Sequence, residues 1–207
     1  GTFTQAAGIK HFGHAAQTVA CSSIDEVFRQ VEGANTDYGV VPVENSTEGA
    51  VGRTLDLLLA TPLQICGEVV LRVHQHLLRK GGGMDGIRRV YTHAQSLAQC
   101  HEWLNQNLPG AERVAVSSNA EAAKLAAQDD TSAAIAGETA GEIYDLVVVA
   151  SNIEDEPNNT TRFLVIGTHD AAPSGRDKTS LVMAAQNRPG AMVELLSPLA
   201  RHNVSMS

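Results

Sequence analysis

The sequence predicts an α/β protein with mostly parallel sheets, divided into two lobes. Short apolar runs typical of buried strands alternate along the chain with segments that carry apolar residues at helical spacing. Hydrophobic residues make up 43% of the chain but aromatic residues only 4%, which favours an aliphatic core beneath helices. The glycines at 81–83 interrupt the alternation, so we expect a boundary between lobes there and a binding site in the crevice between the lobes.

The first half of the chain contains the clearest helix signal. Residues 22–28 begin with two serines, carry acidic residues in the first turn, and continue with apolar residues at helical spacing as far as Val31. The apolar run 38–43 predicts a buried strand. After it we expect a second helix and two strands, the helix with Val51, Leu55, Leu58 and Leu59 on one face and the strands at 63–71 and 73–79.

The second half of the chain repeats this pattern. The predicted order is strand 87–91, helix 95–107, strand 112–117, helix 119–128, strand 133–136, helix 138–144, strand 146–150 and strand 163–166. We interpret Trp103 as a packing residue and the acidic stretch 154–156 as a solvated turn. Repeated strand–helix units favour parallel strands joined by right-handed crossovers.

A linker and a new module follow. Residues 171–178 are rich in proline, glycine and charge, whereas 179–185 resemble a strand and 190–201 a helix. One strand and one helix cannot close a core of their own, so we expect that the chain is incomplete.

Composition limits the functions that the chain can have. A net charge of −8 without any cluster of lysine and arginine argues against nucleic-acid binding. No apolar run approaches the roughly 18 residues of a membrane span, and no signal peptide opens the chain. We therefore expect a cytoplasmic protein that binds no membrane and holds any anionic substrate through local groups.

The cysteines and histidines give no metal signature. Cys21, Cys66 and Cys100 are far apart, which predicts reduced core residues rather than a disulfide or a zinc site. His74 and His76 share a face of a predicted strand, but no third ligand stands at metal-binding spacing. We expect no metal.

Four predicted junctions between a strand and a helix carry small hydroxyl and amide residues. The first backbone N–H groups of a helix are free donors, so such a junction can bind a carboxylate without any basic side chain. Ordinary helix capping is the alternative interpretation for each junction. The four junctions are residues 1–5, 44–49, 92–96 and 117–119.

Residues 159–163, Asn-Thr-Thr-Arg-Phe, lead directly into a predicted strand. An arginine at a strand's start can clamp a carboxylate bidentately, and a neighbouring threonine can donate a hydrogen bond to a leaving oxygen. No nucleophile elbow, phosphate-binding loop or dinucleotide fingerprint is present in the sequence. These residues alone predict a small-anion site and leave the reaction open.

Several segments resemble the signatures of a known family. The match covers about residues 1–167, and its segments resemble those of prephenate dehydratase: Gly1-Thr2-Phe3, Gly39 to Ser46, His93 to Cys100 and Asn159 to Phe163. Lys178–Val182 and Asn187–Met192 resemble the opening of the ACT regulatory module that follows in that family. The residues of these segments are most similar to those of the bacterial bifunctional chorismate mutase/prephenate dehydratases.

The resemblance implies a fold and domain limits. It implies a two-lobed domain like the type II periplasmic binding proteins with an interlobe cleft, followed by a truncated ACT domain of ferredoxin-like α+β fold. The implied dehydratase domain spans 1–168, with lobe 1 at about 1–75 plus 152–168 and lobe 2 at about 76–151. A linker at 169–177 and the ACT segment at 178–207 complete the chain. A first strand before Gly1 and the second ACT signature after Ser207 are expected to be missing, and Ala94 stands where many members have proline.

The resemblance also implies a reaction and its residues. Prephenate would become phenylpyruvate, carbon dioxide and water without a cofactor. Thr161 would donate to the leaving oxygen, with Phe163 beside it, and Arg162 would be a substrate clamp or a structural ion pair. The implied substrate-binding residues are Thr2, Phe3, Thr4, Glu44, Asn45, Ser46, Thr92, His93, Gln95, Ser96 and Gln99.

Regulation is a further implication of the resemblance. Phenylalanine would bind at an interface between ACT domains of a homodimer or homotetramer, through Asn187, Pro189, Gly190, Ala191 and Met192. The alternatives are a cyclohexadienyl dehydratase that accepts arogenate and a non-catalytic cytoplasmic solute-binding sensor, because fold does not fix function.

Overall fold

A computed structural model describes residues 2–206 of the 207-residue chain. Gly1 and Ser207, which begin and end the predicted domains, lie outside the described residues. The chain divides into two compact units, one up to Ala171 and one from Ala172 onward. None of the helices described between residues 2 and 206 is long and apolar enough to cross a membrane.

The first sheet of the larger unit consists of β1 (Tyr38–Asn45), β2 (Gly49–Ala50), β3 (Gln64–Arg72) and β9 (Thr160–Gly167), in the order β2-β1-β9-β3. We call this sheet and its helices lobe 1. Its described strand pairs are all antiparallel. The helices of lobe 1 are α1 (Phe3–Phe12), α2 (Ile24–Glu32) and α3 (Gly52–Ala60).

The expectation of mostly parallel sheets is therefore wrong for lobe 1. Strands β1 and β3 do run in the same direction, as the helix between them predicts, because both are antiparallel to β9. They are not neighbours, however. β9 returns to lobe 1 after the whole of lobe 2 and lies between them.

The second sheet has the strand order β6-β5-β7-β4-β8 and is mixed. We call it, with its helices, lobe 2. β5 is parallel to β6 and β7, as the repeated strand–helix pattern predicts, whereas β4 is antiparallel to β7 and β8. The elements of lobe 2 are β4 (His76–Arg79), β5 (Arg89–His93), α4 (Ala94–Gln99), α5 (His101–Asn107), β6 (Glu112–Val116), α6 (Asn119–Ala126), β7 (Ser132–Ala136), α7 (Glu138–Tyr144) and β8 (Val147–Ala150).

Helix α2 confirms the prediction made from its capping residues. The Ser23 side chain accepts a hydrogen bond from the Glu26 N–H at 3.2 Å, and the Glu26 carboxylate accepts one from the Ser22 N–H at 2.6 Å. Phe28 and Val31 on the inner face are buried in the core of lobe 1.

Helix α3 was predicted to exist, but its buried face differs from the expected one. Leu55 and Leu59 are exposed, at 43% and 62%. The helix instead turns Thr54 inward, where its hydroxyl donates to the Pro42 carbonyl at 2.6 Å. Thr54, Leu57 and Leu58 therefore form the inward face of α3, and Leu58 alone of the three predicted leucines packs against the lobe 1 core.

The predicted helix 95–107 is two helices, interrupted at Cys100. The Asp155 carboxylate accepts hydrogen bonds from the N–H groups of Glu102 and Trp103, each at 3.0 Å, and so caps the start of α5. Trp103 packs against the lobe 2 core, as predicted. The capping group lies more than fifty residues away in sequence, where local patterns give no sign of it.

Two crossing segments, 73–75 and 151–159, join the lobes. The Val73 N–H donates to the Asn159 carbonyl at 2.8 Å, and the Ile153 N–H donates to the Gln75 carbonyl at 2.9 Å. The Glu154 carboxylate, with a side chain only 2% exposed, accepts from the Gln75 N–H at 2.9 Å and lies 2.8 Å from His74 Nδ1. The expectation that the acidic stretch is a solvated turn is therefore wrong for Glu154, which bonds to the crossing, and for Asp155, which caps α5, whereas Glu156 is exposed.

The smaller unit contains one helix, α8 (Ala191–Arg201), among its described residues. This helix was predicted. The predicted strand 179–185 is absent from residues 172–206, where the structure describes no strand. A strand needs a neighbouring strand to pair with its N–H and C=O groups, and residues 172–206 contain no such neighbour in the described structure. Leu181 and Val182 are exposed.

Candidate active site

A cleft of about 510 Å³ lies between lobe 1 and lobe 2. Its walls come from both sheets and from the crossing segment 73–75. The structure brings together most of the predicted site residues here. Those that line the cleft are Thr2, Phe3, Thr4, Asn45, His93, Gln95, Ser96, Gln99, Thr161 and Phe163.

Thr161 lies on the lobe 1 wall, opposite Asn45 in the β1–β9 pairing. The Asn45 side-chain nitrogen donates to Thr161 Oγ1 and to Asn159 Oδ1, each at 2.8 Å. The Asn45 oxygen accepts from the N–H groups of Thr47 and Glu48, at 3.0 and 3.2 Å, so the backbone fixes the orientation of this amide. The Thr161 oxygen is an acceptor in this arrangement, and its own proton remains available for a group in the cleft.

The turn after Asn45 differs from the predicted helix start at 44–49. Residues 46–48 form a turn into β2, and Gly49 has φ +84°, a backbone conformation that suits glycine. Ser46 does not line the cleft, since its hydroxyl accepts from the Thr160 N–H at 2.9 Å. The small polar residues that resembled a helix cap belong to a turn that Asn45 stabilises.

Arg162 and Glu44 are not among the cleft-lining residues. Side chains alternate along a strand, so Thr161 and Phe163 share one face of β9 and Arg162 lies on the other. The Arg162 guanidinium contacts Glu44 at 3.0 Å and Glu68 at 3.1 Å. Partial burial opposes the charge, but the hydrogen bonds that Arg162 donates to the Glu68 and Glu44 carboxylates raise its pKa above the usual value. Of the two roles considered for Arg162, this geometry is that of a structural ion pair.

The lobe 2 wall is organised by Asn119. Its side-chain oxygen accepts from the His93 N–H at 3.0 Å and lies 3.1 Å from Thr92 Oγ1, and its nitrogen donates to Ser96 Oγ at 2.8 Å. Thr92 is buried and does not line the cleft, because its hydroxyl also lies 3.0 Å from the Ile135 carbonyl. Thr92 thus positions Asn119, which positions Ser96.

Helix starts from both lobes border the cleft. Thr2 caps α1 by accepting from the Gln5 N–H at 3.2 Å, and Ser118 caps α6 by accepting from the Glu121 N–H at 3.1 Å. His93 caps the short helix α4 through its ring, which accepts from the Gln95 N–H at 3.3 Å. Three of the four predicted junctions are therefore helix starts, and all three contribute residues to the cleft.

Some cleft residues were not assigned from the sequence. They include Gln75 in the crossing segment and Gly137 and Thr139 at the start of α7. A Cβ atom at Gly137 would lie 3.2 Å from Cε1 of Phe3, so glycine permits lobe 2 to approach lobe 1 here. Residues 136–139 run from the end of β7 into the start of α7, as the other junctions run from a strand into a helix. This pattern in the sequence could have identified Gly137 and Thr139 as cleft residues.

The described lining residues include no lysine or arginine. No group of three or more potential metal ligands occurs among residues 2–206. An anion in this cleft would be held by backbone N–H groups and neutral side chains.

The model of the prephenate dehydratase family matches residues 1–171. The chain belongs to the prephenate dehydratase family. The bifunctional chorismate mutase/prephenate dehydratase of Neisseria gonorrhoeae is 64% identical over 210 residues, which cover 100% of this chain and 58% of the relative. The chain thus spans little more than half the length of that relative.

Two solved structures share the fold of this prephenate dehydratase family member. The prephenate dehydratase of Arthrobacter aurescens, in complex with L-Phe, has a TM-score of 0.84 and is 32% identical. The aligned region covers 97% of this chain and 69% of the Arthrobacter chain. GqqA, described as a novel type of quorum quenching acylase, has a TM-score of 0.81 and is 25% identical. The aligned region covers 100% of this chain and 76% of the GqqA chain. The chain is an α/β protein with mixed sheets whose structural neighbours include prephenate dehydratases.

Proposed function

We propose that this chain catalyses the conversion of prephenate to phenylpyruvate, carbon dioxide and water. The observation that carries the proposal is the Thr161 hydroxyl in the interlobe cleft. Its oxygen is held by Asn45 at 2.8 Å, which leaves its proton to donate. The two lobes would enclose the substrate in the manner of type II periplasmic binding proteins.

The reaction needs orientation and charge stabilisation more than strong acid–base groups. The bond between the ring and its carboxylate breaks, its electron pair enters the ring, and the bond to the ring hydroxyl breaks as the ring becomes aromatic. Carbon dioxide leaves, and the departing hydroxide takes up a proton from the solvent to become water. Thr161 donates a hydrogen bond to that oxygen as negative charge develops on it. A threonine hydroxyl is too weak an acid to lose its proton outright, so stabilisation and positioning carry the step.

The proposed substrate is a dianion, and the described residues that line the cleft include no lysine or arginine to bind it. Free N–H groups at the starts of α1 and α6 stabilise carboxylates through hydrogen bonds and the helix dipole. His93, Gln95, Ser96 and Gln99 add polar groups on the lobe 2 wall. Neutral donors hold the carboxylates while leaving one of them free to depart as carbon dioxide.

The domain limits are also part of the proposal. We place the dehydratase domain at 1–168, a linker at 169–177 and the start of an ACT domain at 178–207. The division of the chain after Ala171 supports these limits. In the smaller unit Gly190 has φ +84° and precedes α8, which fits a glycine-dependent loop at a helix start.

Phenylalanine is the proposed regulator, bound between ACT domains of a homodimer or homotetramer of the cytoplasmic protein. The Arthrobacter relative was solved with L-Phe, which supports this ligand class. Asn187, Pro189, Gly190, Ala191 and Met192 are the proposed contacts. Calorimetry on the full-length protein tests this, and the absence of phenylalanine binding would contradict it.

A single experiment distinguishes three alternatives: dehydration of prephenate, dehydration of arogenate, and a non-catalytic role as a sensor. Purified protein is mixed with prephenate or with arogenate, and phenylpyruvate and phenylalanine are followed separately. We expect phenylpyruvate from prephenate. Phenylalanine formed faster from arogenate would favour the cyclohexadienyl dehydratase alternative, and binding without turnover of either compound would favour a sensor.

The surroundings of Thr161 do not favour a role as the nucleophile of an acyl transfer. A hydroxyl nucleophile in acyl transfer needs a base within hydrogen-bond reach. The partner of Thr161 in the described structure is the Asn45 amide, which donates to it and cannot accept its proton.

A further inference from the structure

Gln75 occupies the crossing segment at the floor of the cleft, and its backbone is held on both sides. Its N–H donates to Glu154 at 2.9 Å, and its carbonyl accepts from the Ile153 N–H at 2.9 Å. The residue is only 1% exposed, yet it lines the cleft. The side chain is therefore shielded from bulk water at the border of the cleft.

The side chain of Gln75 carries a buried oxygen without a partner. Its nitrogen donates to Ser96 Oγ at 3.1 Å and to Gln99 Oε1 at 3.2 Å. Oε1 accepts no hydrogen bond from any described residue and is buried. Nearly all buried polar atoms in folded proteins are paired, and an unpaired acceptor costs free energy. An unpaired acceptor in a binding cleft therefore points to a donor on the ligand.

Gln75 and Thr161 border the same space. Thr161 pairs with Leu71 in the β3–β9 register, and the chain then continues through Val73 to Gln75. Val73 and Gln75 line the cleft together with Thr161. A ligand seated against the lobe 1 wall thus meets the Thr161 hydroxyl and, along the crossing, the side chain of Gln75.

We propose that Gln75 Oε1 accepts a hydrogen bond from the ring hydroxyl of the substrate, an inference that rests on the proposed function. The carboxylates and the keto group of prephenate are acceptors only, and its ring hydroxyl is its one donor at neutral pH. Gln75 would therefore attract that hydroxyl and repel the other polar groups, which sets the orientation of the ring. Thr161 would donate to the hydroxyl oxygen while Gln75 accepts the hydroxyl hydrogen, so the leaving group is held by two bonds.

The test uses two product-like inhibitors that differ only in a ring hydroxyl, phenylpyruvate and 4-hydroxyphenylpyruvate. Their inhibition constants against prephenate turnover are measured for the unchanged protein, for Gln75→Met and for Gln128→Met, an exposed control. We expect the unchanged protein and the control to bind the hydroxylated compound more tightly. In Gln75→Met this preference should fall about tenfold, while phenylpyruvate inhibition changes less than about twofold.

A second variant guards against a general disturbance of the cleft. Gln75→Glu keeps an acceptor oxygen but adds a negative charge that repels the carboxylates of both inhibitors, so it should weaken both and retain the ratio between them. Loss of the ratio in Gln75→Glu, equal weakening of both compounds in Gln75→Met, or no hydroxyl preference in the unchanged protein would overturn the proposal. Turnover of prephenate by the unchanged protein is recorded first, so a failure of the proposed function is seen separately.

Discussion

Asn45 holds the hydroxyl oxygen of Thr161 at 2.8 Å, across the paired strands β1 and β9. The orientation of the Asn45 amide is in turn set by two backbone N–H groups of the following turn, those of Thr47 and Glu48. A backbone N–H can only donate, so the Asn45 side chain can present only its nitrogen to Thr161. The turn after β1 thereby controls the direction in which Thr161 donates.

Replacing Asn45 by aspartate should reverse that direction. In Asn45→Asp the carboxylate would accept the Thr161 proton, which then no longer points to the substrate. We expect kcat for prephenate to fall about a hundredfold, as for the removal of one donor to a developing oxyanion. Asn35→Asp, an exposed change of the same kind, serves as the control. Unchanged kcat in a folded Asn45→Asp protein would contradict the role given to this amide.

The Thr161 hydroxyl itself is tested by two substitutions of different chemistry. Thr161→Val keeps the shape and removes the donor, so kcat should fall by at least about a hundredfold with a small change in KM. Thr161→Ser keeps the hydroxyl and should lose less than about tenfold. Steady-state kinetics on prephenate measures both. Near-normal turnover by Thr161→Val, with normal circular dichroism, would show that another group serves the leaving oxygen.

Arg162 should matter for stability more than for turnover. Its guanidinium bridges Glu44 and Glu68, and Arg162→Met would remove the cation that both carboxylates contact. Because the pair is partly exposed, we expect the free energy of unfolding to fall by about 1 kcal/mol, with kcat within about threefold of normal. Urea unfolding and kinetics measure the two effects. A large loss of kcat with unchanged stability would instead assign Arg162 to the substrate.

Asp129 gives a prediction for pH dependence. Hydrogen bonds from the hydroxyl of Ser132 and from the N–H and hydroxyl of Thr131 lower the pKa of Asp129 from 3.8 to about 2. A lowered folded-state pKa favours the folded protein above the unfolded pKa, and this contribution is lost as pH falls toward about 2. Asp129→Asn should therefore lower Tm at pH 7, and the difference should shrink between about pH 4 and pH 2. Asp130→Asn, at an exposed neighbouring position, should show a smaller difference at pH 7.

Local patterns predicted the helix starts and most of the candidate site. The capping serines of α2 and α6 act within three residues, so the sequence alone shows them. The same holds for His93 at the start of α4. Residues that line a cleft at the ends of strands and the starts of helices can be found from such signals, because the chain direction places them at one edge of a sheet.

Long-range pairing accounts for what the sequence did not predict. The partners of Arg162 include Glu68, 94 residues earlier, and the break at Cys100 depends on Asp155. The position of β9 between β1 and β3 has no local signature either. Gln75 resembled one more residue of a predicted strand, and only the folded structure shows its unpaired oxygen.

The interior position of β9 has a consequence for the order in which the protein forms during synthesis. Lobe 2 is built from the continuous segment 76–150, so it can fold while later residues are still within the ribosome. Lobe 1 cannot complete its sheet until residues 160–167 have emerged and entered between two waiting strands. The nascent chain therefore completes the lobe 1 sheet and brings Thr161 to the cleft in the same event.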